Sequence, residues 1–75
     1  MKINVTAEDI AKASRGNCFT CPIAKALRRE GFSKVAVYEH TVWIGTLQFT
    51  LPLDATIFIQ RFDSDSPVEP FAFEL

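Results

Sequence analysis

Between Lys34 and Leu51, three runs rich in β-branched and aromatic residues are separated each time by only two residues. The runs are Lys34–Tyr38, Thr41–Ile44 and Leu47–Leu51, and the gaps are Glu39-His40 and Gly45-Thr46. A parallel crossover consumes about a dozen residues or more, so runs this close in sequence can pair only as antiparallel hairpins. Gly45 stands first in its two-residue gap, which suits a type II′ turn. The segment reads as a three-stranded antiparallel meander, with a single long hairpin as the competing reading.

The flanks add helices and two further strands. Lys2–Val5 alternates polar and apolar residues and reads as a short strand. Thr6 is placed to cap a helix over Ala7–Ser14, with Asp9 as a shortened capping-box partner and a staple between Val5 and Ile10. Gly16 is the expected stop. Pro22 suits the first turn of a second helix, capped by Thr20 or Cys21 and stopped by Gly31. From Pro52 to Asp63 strand propensity competes with helical spacing. Ala55, Phe58, Ile59 and Phe62 recur at three and four, so a helix is expected. Pro70–Leu75 alternates again and reads as a last strand.

These elements give an α+β domain over residues 1–75, in the order β-α-α-β-β-β-α-β. The expectation is a small antiparallel sheet with helices packed on one face. Ile3, Val5, Ile10, Ile23, Leu27, Phe58, Phe62, Phe71 and Phe73 are its expected core. At 75 residues such a core is small, although seven Phe, one Trp and one Tyr enrich it. Apolar residues make up 48% and the net charge is only -1, which excludes a disordered chain. No apolar run reaches the length of a membrane span. The N-terminal stretch lacks the apolar core of a secretory signal, so a cytoplasmic setting is expected.

Chemistry-bearing residues are few. Cys18 and Cys21 form a C-x-x-C at a helix start, where exposed N–H groups can lower a thiol's pKa. Thioredoxin-like motifs follow the first strand of a βαβ unit, whereas here a helix and a loop precede. The same pair is half of a zinc site, but there is no second cysteine pair and only one histidine, His40. Carboxylates would have to complete the set, or two chains could pool four thiolates across a dimer axis. The plainer expectation is that one or both cysteines are small buried hydrophobes at a helix start and that no cofactor is bound. No Gly-rich phosphate loop exists, and Asp63 and Asp65 lie in a Ser-rich loop without an apolar pocket. No catalytic residue is therefore assigned.

Charge is unevenly placed. Residues 1–34 carry net +4 and residues 35–75 net -5, a dipole able to orient an approaching partner. Arg15, Lys25, Arg28 and Arg29 are candidates for a basic patch. Nucleic acid is one ligand for such a patch, but the acidic half and a pI near 5.7 argue against it.

Two segments carry a family resemblance. Thr6–Leu27 contains Cys18-Phe19-Thr20-Cys21-Pro22-Ile23-Ala24, and the C-terminal part runs through Phe58–Asp63 to Pro67–Leu75, which contains Pro70-Phe71-Ala72-Phe73. The chain resembles a group of small proteins encoded by bacteriophages and prophages that share a Cys-x-x-Cys-Pro-(Val/Ile)-Ala segment and a closing Pro-Phe-x-Phe strand. The resemblance implies a phage origin and the cytoplasm of a host cell. It brings no activity and no catalytic residue with it. The leading expectation is a protein–protein interaction module that binds or inhibits a host protein through Arg15, Lys25, Arg28, Arg29 and Trp43. The competing expectations are a thiol or zinc–thiolate protein built on Cys18 and Cys21, and a nucleic-acid binder. The apolar strands lack guarding charges, so a homodimer with Trp43 near the contact is also expected.

Overall fold

Thr6 ends the first strand and begins the first helix by one reciprocal device. In the computed structural model, which describes residues 1–75, its hydroxyl accepts from the Asp9 N–H at 3.2 Å, and Asp9 Oδ2 accepts from the Thr6 N–H at 2.9 Å. This capping box joins β1 (Lys2–Val5) to α1 (Ala7–Lys12). The helix stops two residues short of Ser14. Its terminal Ala13 is already extended, and Gly16 lies further on in the loop with φ +69. Gly16 therefore shapes the loop and does not end the helix.

The second helix, α2 (Pro22–Arg29), is capped by Cys21, whose Sγ accepts from the Ala24 N–H at 3.4 Å. Pro22 fills the first helical position, where a missing N–H costs nothing. At the far end Gly31 adopts φ +101. Its N–H bonds the Arg28 carbonyl, and the Phe32 N–H bonds the Leu27 carbonyl. That is a Schellman ending, which favours glycine at this position. Ile23, Ala24, Ala26 and Leu27 are wholly buried, and α2 packs against both β1 and β2.

β2 (Val35–Val37), β3 (Thr41–Ile44) and β4 (Leu47–Thr50) form the expected meander, in the order β2-β3-β4. Gly45 has φ +63 while Thr46 stays at negative φ, the signature of a II′ turn. The third helix, α3 (Leu53–Asp63), buries Ala55, Phe58, Ile59 and Phe62 as their spacing requires. β5 (Phe71–Glu74) pairs with β1, setting Ile3 opposite Phe73.

The α+β order is the expected one, and the strands divide between two antiparallel sheets, β1-β5 and β2-β3-β4. Helix α2 holds the two together. Phe58 stacks on Phe71 at 4.6 Å between centroids, and Phe71 on Phe73 at 5.7 Å, so α3 is fastened to the β1-β5 sheet by aromatic contact. Of the expected core, Ile3, Val5, Ile23, Leu27, Phe58, Phe62 and Phe73 are buried, while Ile10 and Phe71 pack against the cluster partly buried. No helix is long and apolar enough to cross a membrane.

Candidate functional site: the outer edge of β4

Hydrogen-bond parity in the meander decides which backbone groups face outward. The Tyr38 N–H bonds the Thr41 carbonyl across the first turn. Thr41 and Trp43 therefore direct their backbone groups to β2, and Val42 and Ile44 direct theirs to β4. The Leu51 N–H bonds the His40 carbonyl at 2.9 Å, continuing the same alternation. On β4 this commits Leu47, Phe49 and Leu51 to β3. The N–H and C=O groups of Gln48 and Thr50 point away from the sheet, and no other segment of the chain hydrogen-bonds them.

The opposite edge of this sheet is treated differently. There the outward Val37 N–H donates to the Cys18 carbonyl at 2.8 Å, so the Cys18 loop occupies one of the outward groups of β2, and Val35 and Val37 are themselves buried. In the β1-β5 sheet the strands carry Lys2 and Glu74, charges that discourage edge pairing. β4 carries no charge.

Side chains make β4 still more open. Register places Leu47 beside Ile44 and Phe49 beside Val42 on the face that holds Val35 and Val37. That face is buried at β2, where α2 lies, and opens toward β4 on the far side of the sheet. Leu51 is buried, Phe49 is 37% exposed and Leu47 is 62% exposed. Trp43, on the other face of β3, stands across from Gln48 and is 37% exposed. It lies one strand in from the edge.

The basic residues do not gather into one free patch. Arg15 pairs with Asp65 at 2.5 Å, beside the Gly16 N–H, which bonds Asp63. Arg29 pairs with Asp9 at 2.5 Å and donates to the Asn4 carbonyl at 2.6 Å. Arg28 donates to the Phe19 carbonyl. Lys25 has no hydrogen-bonded or ion-paired partner. Lys25, Arg28 and Arg29 line one groove together with Lys12, Glu8 and Asp9, whereas Arg15 is turned toward the Asp63–Asp65 loop. Burial pushes the Asp9 carboxyl up, but hydrogen bonds from Arg29 and Thr6 and the Arg29 charge outweigh it, and the net direction is down.

Cys18 and Cys21 are free thiols lining a cleft of about 500 Å³ with Tyr38, Glu39, Gln60 and Asp63. Burial pushes the Cys21 thiol up, against the bonds it accepts from backbone N–H groups, and the Asp63 charge pushes the same way. A buried, protonated sulfur that caps a helix is a poor nucleophile and a poor bridge to a second chain. Cys18 is half-buried, and its contact with the Tyr38 hydroxyl raises the tyrosine pKa. No three His, Cys, Asp or Glu side chains are grouped to hold a metal ion.

Sequence reasoning named Trp43 but passed over Gln48 and Thr50, polar residues that look unremarkable until the register shows which way their backbones point. The signal was available in the two-residue turns, which set that parity. No family model, curated protein or solved structure matches the chain.

Proposed function

We propose that this protein is a protein-binding module that pairs the outer edge of β4 with an extended segment of a partner. One observation carries the reading: Gln48 and Thr50 leave their outward N–H and C=O groups without a partner on a strand that bears no charge. Such an edge accepts a further strand, with backbone bonds supplying affinity and alternating side chains supplying specificity. Leu47 and Phe49 offer that strand an apolar face, and Gln48 and Thr50 a polar one. The uneven charge would orient the encounter. On the phage resemblance, the partner is a host protein in the host cytoplasm. Trp43 borders the contact, and the groove around Lys25 and Arg28 is a secondary surface for its acidic groups.

The test uses Thr50→Pro, which removes one outward N–H and none that serves β3. Affinity for a captured and purified host partner should fall about tenfold, the worth of one backbone bond plus the lost fit of the ladder, while thermal unfolding changes little. Unchanged affinity for that partner would sink the proposal.

A further inference from the structure

Resting on the β4-edge reading, we infer that in the free protein this edge is closed by a second copy of the same chain, β4 against β4 about a two-fold axis at Phe49.

A two-fold antiparallel pair must match residues of the same parity, because Gln48 and Thr50 are the ones whose backbones face outward. Centring the axis on Phe49 sets Gln48 of each chain opposite Thr50 of the other. Every outward N–H and C=O of those residues then finds a partner. Centring on Gln48 would pair Thr50 with Thr46, which lies in the II′ turn and cannot continue a ladder. Centring on Thr50 would pair Gln48 with Pro52, which has no N–H to give. The Phe49 axis is thus the register that satisfies the edge.

The side chains agree with that register. Phe49 meets Phe49 at a non-hydrogen-bonded position, where Cα atoms lie closest, and aromatic cross-strand pairs there are favourable. Leu47, more exposed than Phe49, falls opposite Leu51. Gln48 meets Thr50 on the other face. Apolar residues therefore meet apolar and polar meet polar. With no charge between Thr41 and Thr50, nothing on β3 or β4 repels the second copy. The two meanders would join into one continuous sheet, and a partner strand would have to displace the second copy to bind. Self-association thereby sets the concentration below which the edge is free.

Light scattering tests this on the full chain, alongside cysteine cross-linking in a Cys18→Ser background. The wild type should have a dimer mass at high micromolar concentration, and Thr50→Pro a monomer mass. Phe49→Cys should form the interchain disulfide under oxidised glutathione about tenfold faster than Leu47→Cys, because only position 49 meets itself at a disulfide-compatible spacing. A second edge variant, Gln48→Lys, should also be monomeric, with an unchanged far-ultraviolet spectrum showing that the fold is kept. A wild-type monomer at high micromolar concentration would overturn the inference, and so would a dimer that Leu47→Cys cross-links as fast. A monomer that still binds a partner in a Thr50-dependent way would overturn only the dimer and leave the edge reading standing.

Discussion

Replacing Asp9 with alanine should cost about 2 kcal/mol. Asp9 is almost fully buried and serves two elements at once. Its Oδ2 closes the capping box with the Thr6 N–H, and its Oδ1 receives Arg29, whose guanidinium also reaches the Asn4 carbonyl. One carboxylate thereby ties α1 to the end of α2, and through Arg29 to β1. Loss of a capping bond is worth about 1 kcal/mol. A buried charged hydrogen bond would add more, but Arg29 is about half exposed, so its share is held to about 1 kcal/mol. In a domain this small that is a large fraction of the total, and the melting midpoint should fall by about 10 °C. The pH dependence is specific. The Asp9 pKa is lowered by folding, so its contribution is complete above the ordinary carboxylate value and is lost as pH falls through the folded one. Urea titrations of wild type and Asp9→Ala should therefore differ by a constant amount above about pH 5 and converge below about pH 4. A difference under about 0.5 kcal/mol, or one that persists unchanged in acid, would refute the reasoning.

The two cysteines should separate. Ellman's reagent should modify half-buried Cys18 in the native protein and reach Cys21 only on unfolding, and equal native rates would contradict the burial of Cys21. Cys21→Ala should cost about 1–2 kcal/mol through the lost cap and packing in urea titrations, while Cys18→Ser should stay within about 0.5 kcal/mol. Deleting Phe71–Leu75 removes the partner of β1 and the aromatic contacts of α3. Calorimetry of that truncation should show no cooperative transition, and an unchanged melting curve would mean that β5 is dispensable.

Local chemistry was legible where a residue acts on its immediate neighbours. Thr6 with Asp9, Cys21 with Pro22, Gly31 at its Schellman ending and Gly45 in its turn all do what their positions in the chain require. Spacing at three and four correctly made α3 a helix although Thr56–Ile59 has strand propensity. What could not be read was long-range. Nothing in the alternation of Lys2–Val5 or Phe71–Glu74 says that these strands pair with each other and stand apart from the meander. The ion pairs that draw Arg15 to Asp65 and Arg29 to Asp9 depend on elements brought together only by folding. Leu47, Phe49 and Leu51 alternate like a buried face, yet only Leu51 is buried, because α2 lies over β2 at the opposite side of the sheet. The helices' incomplete cover of the sheet makes β4 a candidate site, and that is a property of tertiary placement.

Amide hydrogen exchange, resolved residue by residue, examines the β4 edge most directly. In dilute protein the Leu47, Phe49 and Leu51 amides should be protected by β3 while those of Gln48 and Thr50 exchange rapidly. Raising the concentration into the high micromolar range, or adding a bound partner, should slow Gln48 and Thr50 together and leave Val37 unchanged. Gln48 and Thr50 amides that are already protected in the dilute monomer, or that stay fast in a complex, would contradict the assignment of this edge as the binding surface.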